Sequence, residues 1–413
     1  MVATQKSKST EIESTYAWLR LIAAFTIGAI GGVGMWSVAV ALPAVQAEFG
    51  IARGAATLPY ALTMICLAIG GIGMGRLADA RGVATPLVIG AVMLCVGYIL
   101  AAQAQNLWQF TLVHGLVIGG LGASSAFGPL VADISLWFNR RRGIAVALVA
   151  SGNYAAGAIW PPILQASIAA HGWRQTYIWM GLFCLVAMLP LILIMRRPPP
   201  ILAETQTIAQ ASPFAAQALG FSLNGLQGIL MLAGIACCVG MSMPQVHIVA
   251  YCGDLGYGVQ RGAEMLSIMM AAGIASRLIS GWISDKLGGL PTLLLGSSLQ
   301  GLMLLMYLPF DSLTGLYVVS ALFGFVQGGI VPSYAIIVRE HFPASEAGTR
   351  VSAVLMSTVF GMAVGGLLSG WIFDLTGSYR AAFLNGIAWN LVNVCIALFL
   401  FYRKFGGRTV QTA

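Results

Sequence analysis

Charge is what this 413-residue chain has least of: Asp, Glu, Lys and Arg together make up 8% of it, where a soluble domain carries about a quarter. That shortage excludes an ordinary soluble globular protein. No GxxxxGK[ST] motif occurs, so the chain brings no phosphate-binding loop of its own for driving a pump. The seven cysteines (Cys66, Cys95, Cys184, Cys237, Cys238, Cys252 and Cys395) show no CxxC…CxxC spacing. They suggest neither a metal centre nor a disulfide framework, and read as buried free thiols. There is no nucleophile elbow and no pair of buried carboxylates, which argues against an enzyme and implies no cofactor. Residues Met1 to Tyr16 are polar, with Lys6, Lys8, Glu11 and Glu13, and lack the apolar core of a signal peptide.

What fills the space is apolar. Hydrophobic residues make up 58% of the chain and Gly supplies 51 positions. Runs long enough to cross a bilayer, about 20 residues each, recur from end to end. Twelve are read: 19–45, 55–76, 84–104, 108–137, 144–169, 176–195, 222–251, 262–283, 290–309, 313–338, 350–373 and 381–402. The expected fold is all-α and integral to the membrane, with the lipid bilayer as its solvent. Several runs are well beyond the length that a perpendicular span needs, which implies tilted or kinked helices.

The basic residues orient these spans. With twelve alternating spans, sixteen of the 21 Lys and Arg fall on one side and Arg53, Arg174, Arg261 and Arg380 on the other, with Arg277 between. The positive-inside rule then puts both termini in the cytoplasm, consistent with a plasma (inner) membrane protein. The net charge of +8 is thereby a matter of topology, and no nucleic-acid patch is read from it.

The chain also repeats itself. Gly75 to Gly82 (GRLADARG) follows the second span and Gly281 to Gly288 (GWISDKLG) the eighth; their glycines and aspartates, Asp79 and Asp285, are 206 residues apart. Arg174, closing span five in HGWR, and Arg380, closing span eleven in GSYR, share that offset. Duplication gives two pseudo-symmetric six-helix bundles, a design that places a substrate site between the halves near the midplane. The expected segments are an N-terminal tail 1–17, a first bundle 18–195, a linker 196–220 that opens on Arg-Arg-Pro-Pro-Pro, a second bundle 221–402 and a C-terminal tail 403–413.

Arg277 carries the functional argument. It stands in the apolar stretch Met265 to Ile283, with Gly273 four residues back and Ser280 and Gly281 three and four residues on. A guanidinium keeps its proton at physiological pH, and placing it at membrane depth costs about 2.5–3.5 kcal/mol on insertion scales. With no acidic residue within one turn of its own helix, it suggests a socket for an external anion; the bland alternative is an arginine that snorkels or caps carbonyls. His247 follows Pro244 in span seven and either bonds that anion or titrates, or simply bonds backbone freed by the proline. Ser124, Ser125 and Phe127 in span four, Asn153 in span five and Gln327 in span ten are candidate contacts, and equally candidate interhelical glue. Asp133 is expected to pair with the Arg140–Arg142 cluster rather than carry a proton. It stands with His247 and Glu264 among the proton-coupling candidates.

The loops after spans two and eight resemble the signature of the major facilitator superfamily, and finer motifs resemble its monocarboxylate transporter branch. Trp137 to Ala145 (WFNRRRGIA) is similar to that branch's entry into span five, and Gly172-Trp-Arg174 to its GWR. Tyr251 to Gly256 (YCGDLG) resembles its motif after span seven, and Gly370 to Tyr379 (GWIFDLTGSY) its motif at the end of span eleven. The resemblance implies a secondary carrier working by alternating access on a small monocarboxylate, with proton symport. It implies that Arg277 is the substrate arginine and that Gly75, Asp79, Arg81, Gly281, Asp285 and Lys286 form the cytoplasmic gate. Departures stand beside it. The first gate reads Asp-Ala-Arg, Gly273 occupies the place of an acidic residue, and the first span holds only Arg20 as a cation. The related oxalate/formate exchangers carry a second cation in span eleven, absent here around Met356 to Gly361. One fixed positive charge favours one negative charge, because a dianion leaves a charge uncompensated. An organic-anion exchanger is the alternative. A drug/proton antiporter is disfavoured, since Gly152 to Pro162 lacks a glycine-proline step and Arg277 repels cations.

Overall fold

In the computed structural model, residues 12–198 and 219–405 are described. Most of the expected linker and C-terminal tail, and the first eleven residues of the expected N-terminal tail, lie outside them. No strand occurs among the described residues. Among the described residues, eleven helical runs are long and apolar enough to cross a membrane. One of them, Gly143–Ile194, is two spans: at Gly172 the backbone leaves the helical region (φ 80, ψ 159). Counting that break gives twelve: α1 Thr15–Phe49, α2 Arg53–Arg81, α3 Ala84–Ala102, α4 Leu107–Ile134, α5 143–171, α6 173–194, α7 Leu223–Asp254, α8 Val259–Leu287, α9 Gly289–Met306, α10 Leu313–His341, α11 Gly348–Thr376 and α12 Tyr379–Phe405. This is an all-α, multi-pass membrane protein.

Several helices outrun their apolar windows, because backbone hydrogen bonding continues where the hydrophobic residues stop. The repeated motif shows the consequence. Gly75 to Arg81 and Gly281 to Leu287 are the last two turns of α2 and α8, not loops. Each helix stops at a glycine with positive φ, Gly82 (φ 80) and Gly288 (φ 86), whose N–H donates to Ala78 and Ser284 at 2.8 Å. A side chain at such a φ is strained, so glycine is the residue that ends the turn there.

The helices form two compact units. The first takes in 12–52, 56–198 and Val259–Ser267; the second takes in Arg53–Ala55, 219–258 and 268–405. Both are built on glycine contacts that bring backbones together. In the first unit α2 meets α4 where Gly70 faces the Gly120 carbonyl, and α1 meets α5 where Gly32 faces Ala156. In the second, α8 meets α10 where Gly324 faces the Met269 carbonyl and Gly328 that of Gly273, and α7 meets α11 where Gly365 faces Val239. At each of these glycines a Cβ would fall inside 3.0 Å of its neighbour.

At one end of the first unit Glu13 accepts from the N–H groups of Arg141 (2.8 Å) and Asn139 (3.3 Å). These bonds, the one to Arg141 foremost, hold its carboxyl below the usual carboxylate range. They tie the chain ahead of α1 to the turn between α4 and α5.

Gly324→Ala should therefore lower the thermal midpoint of the purified protein, by an amount corresponding to about 1–3 kcal/mol of overpacking. Gly73→Ala, on a helical position with nothing within 4 Å, should leave it unchanged or slightly higher. Equal midpoints for the two variants would refute the packing argument.

Candidate functional site

The second unit places Arg277 in α8 ten residues from the Leu287 end, about 15 Å along the axis at 1.5 Å per residue. Its side chain is half-buried. Its Nε donates to the Gly328 carbonyl at 3.4 Å. The sequence explains why that oxygen accepts. Four positions on in α10 stands Pro332, which has no N–H to offer it. The helix is also interrupted at Gly328 and Gly329, between the segments Leu313–Gln327 and Ile330–His341. A proline and two glycines thus open a helical turn, and the guanidinium of the neighbouring helix bonds the freed carbonyl.

Gln327 stands one residue before that carbonyl and is fully buried. Its Oε1 accepts from Nε2 of Gln245 at 2.8 Å. Gln245 follows Pro244 inside α7 and is itself buried. Gln245 and Gln327 thereby tie α7 to α10, and Gln327 is the sequence neighbour of the glycine that holds Arg277 of α8. Gln245 was missed from the sequence, where a lone amide in an apolar run reads as glue; the adjacent helix-internal proline was the available signal.

His247, two residues further along α7, belongs to a different cluster of the same unit. Its Nε2 lies 2.9 Å from the Gly366 carbonyl and its Nδ1 3.3 Å from the Tyr379 hydroxyl. Tyr379 Oη accepts from Arg53, whose guanidinium pairs with Asp254 at 3.2 Å. The N–H groups of Arg53 and Gly54 donate to the two oxygens of Asp374, at 2.8 and 2.7 Å. The motif residues Asp254, Asp374 and Tyr379 are thereby gathered around one arginine. The first unit has an acidic and an aromatic residue at the same offset, gathered with a different arginine. Glu48, the counterpart of Asp254, accepts from the indole of Trp173, the counterpart of Tyr379, and from Arg174.

Most of the remaining candidates lie in the first unit. Ser124 and Ser125 turn their hydroxyls onto their own backbone, to Gly120 (2.6 Å) and Gly122 (2.8 Å). Phe127 sits at a non-helical break (φ −124, ψ −78). Asn153 Nδ2 reaches Met35 Sδ at 3.5 Å, and its carbonyl accepts from Trp36. Glu264 pairs with Arg261 at 3.0 Å. Asp133 departs from expectation: its partner is Arg20, which holds both carboxylate oxygens at 2.7 and 2.8 Å, and not the Arg140–Arg142 cluster. Arg20 is fully buried, also donates to the Arg197 carbonyl (3.1 Å) and lies over the Trp137 ring. Arg20 and Asp133 are far apart in sequence, and only the folded bundle brings them together. Asp79, Arg81, Asp285 and Lys286 are exposed at the ends of α2 and α8.

Comparison with known proteins settles the family. The model of the Major Facilitator Superfamily matches residues 24–319 and 299–412. The chain belongs to that superfamily. It is 27% identical over 313 residues to monocarboxylate transporter 13 of Bos taurus, covering 72% of this chain and 69% of that one. It is 26% identical over 388 residues to monocarboxylate transporter 11 of Homo sapiens, covering 89% and 79%. Among solved structures it resembles a bacterial homolog of the human lysosomal transporter Spinster, inward-facing and occupied, with TM-score 0.70, 15% identity and coverage of 93% and 96%; that likeness bears on fold alone. As a member of that superfamily the protein is a secondary transporter and not an enzyme.

Removing one partner of the buried Arg20–Asp133 pair should be costly. Asp133→Ala should destabilise the purified protein by about 3–5 kcal/mol, as expected for an uncompensated buried charge, and Arg20→Met with Asp133→Leu by much less. Denaturant unfolding of the three proteins measures both; a double variant as unstable as the single one would contradict it.

Proposed function

We propose that this facilitator moves a small monocarboxylate across the inner membrane by alternating access, with a proton as co-substrate and both termini cytoplasmic. The observation that carries the reading is the guanidinium of Arg277 at mid-helix depth, in a chain whose relatives include proteins named as monocarboxylate transporters. A guanidinium offers a planar fork of N–H donors that matches a carboxylate with two parallel bonds. Arg277 donates its Nε to Gly328 at a long 3.4 Å, and its guanidinium engages the anion's carboxylate. One fixed cation selects a monoanion, since a second negative charge is desolvated without compensation. The exposed residues Asp79, Arg81, Asp285 and Lys286 gate the cytoplasmic side.

For the proton, His247 is the favoured carrier. The carbonyl opposite Nε2 makes that nitrogen the donor of the neutral ring, leaving Nδ1 to accept from Tyr379. A proton added at Nδ1 turns that bond around, and Tyr379 also accepts from Arg53. Protonation is in this way felt by the Arg53, Asp254 and Asp374 cluster. Asp133 is held by Arg20 and Glu264 by Arg261, which leaves them as weaker candidates.

Variants at two positions test these roles. Arg277→Ala should abolish uptake of labelled monocarboxylate into reconstituted vesicles while the protein still inserts, because loss of a cation from an apolar span does not impair integration. Arg277→Lys should lose most of it, an ammonium being unable to reproduce the two-bond fit; wild-type rates in the lysine variant would overturn the assignment. An inward proton gradient should let the wild type concentrate the acid, and His247→Gln should exchange acid across the membrane without concentrating it. Equal gradient-driven accumulation in the glutamine variant would clear His247.

A further inference from the structure

The pair Gln245–Gln327 is bonded on one side only. Gln245 Nε2 donates to Gln327 Oε1, while Gln245 Oε1 and Gln327 Nε2 have no hydrogen-bond partner among the described residues. Both side chains are almost wholly buried, at 2% and 0% exposure. Exchanging the oxygen and nitrogen of both amides changes nothing in this account: any single bond between two carboxamides leaves one carbonyl oxygen and one amino group unanswered. Leaving such groups unpaired in a buried place is costly enough that native proteins rarely do so. Asn393 uses both ends of its amide, donating to Ser297 and accepting from Tyr334 at 2.7 Å each, and Asn390 leaves one atom, its Oδ1, unpaired; the glutamine pair leaves both a donor and an acceptor side by side.

The position of the pair matters as much as its chemistry. Gln327 immediately precedes Gly328, whose carbonyl holds Arg277, and Gln245 immediately follows the α7 proline. One of the two groups left over therefore sits on the helix that anchors the guanidinium, on the residue next to the anchoring glycine.

We propose that Gln245 and Gln327 form a second subsite, which reads a group on the transported acid that donates one hydrogen bond and accepts another. A hydroxyl is the smallest such group. The substrate class is then a hydroxylated monocarboxylate, its carboxylate on Arg277 and its hydroxyl between the Gln245 oxygen and the Gln327 nitrogen. A keto group accepts only, so it satisfies Gln327 and leaves Gln245 unanswered. A plain alkyl chain satisfies neither. This inference rests on the monocarboxylate reading above and adds to it an order of preference.

Three acids on one carbon skeleton test it: lactate, pyruvate and propionate, each measured as uptake by the wild-type protein in vesicles with the same gradient. The expected order of kcat/KM is hydroxy, then keto, then alkyl, falling about three- to tenfold for each hydrogen bond lost. In the double variant Gln245→Leu with Gln327→Leu, which removes both partners and so leaves no orphaned amide, the ratio of hydroxy to alkyl acid should fall to about one. The ratio is the readout, whatever the absolute rate. Wild-type uptake of all three at equal efficiency, or pyruvate carried better than lactate, overturns the subsite and leaves the Arg277 assignment standing. A double variant that keeps the wild-type ratio also overturns it. Failure of the wild type to carry any of the three, or any acid of a wider monocarboxylate panel, overturns the monocarboxylate reading and the subsite with it.

Discussion

The constraint on which the second unit turns is a permanent positive charge inside an apolar helix. A lysine or histidine in that place escapes the cost of burial by losing its proton, whereas a guanidinium does not. The structure meets the cost locally, through a carbonyl that α10 cannot use itself. Pro332 removes the donor, Gly328 and Gly329 break the turn, and Arg277 bonds the oxygen so released. The same glycine that offers the carbonyl also lets the backbones of α8 and α10 approach at Gly273. Close packing and the position of the charge are two results of one sequence feature.

Duplication explains much of the remaining organisation. Counterparts at the fixed repeat offset close α2 and α8 on glycines of the same conformation. They also put an acidic residue at the end of α1 and of α7, and an aromatic residue that joins its cluster at the start of α6 and of α12. Even the exchanged segments correspond: Arg53 begins the short piece grouped with the second unit, and its counterpart Val259 begins the piece grouped with the first. The halves are not identical. The counterpart of Arg277 in the first half is Gly71, so the cation belongs to one half alone.

The spans were legible because apolar runs of about 20 residues have few other uses, and the duplication because its anchors kept a fixed offset. Helix ends were less so, since hydrogen bonding does not stop where hydrophobicity does; the Gly75 to Arg81 stretch of the motif therefore lies in α2. Arg277 stood out in sequence as a charge in an uncharged run. Its Gly328 anchor did not, because the contact joins two helices. Asp133 illustrates the same limit: nearby basic residues suggested Arg140–Arg142, while the bundle supplies Arg20. Gln245 was passed over because one amide carries no pattern; its meaning comes from the partner it meets in α10.

The central claim is that the charge of Arg277 exists to hold a monoanion. A ligand that binds the folded protein raises its thermal midpoint by mass action, so purified protein can be screened directly for what its site accepts. Small monocarboxylates should raise the midpoint in a concentration-dependent way, while oxalate, malonate and organic cations should leave it near that of the free protein. Stabilisation by cations, or by the dianions more than by any monocarboxylate, would contradict the account.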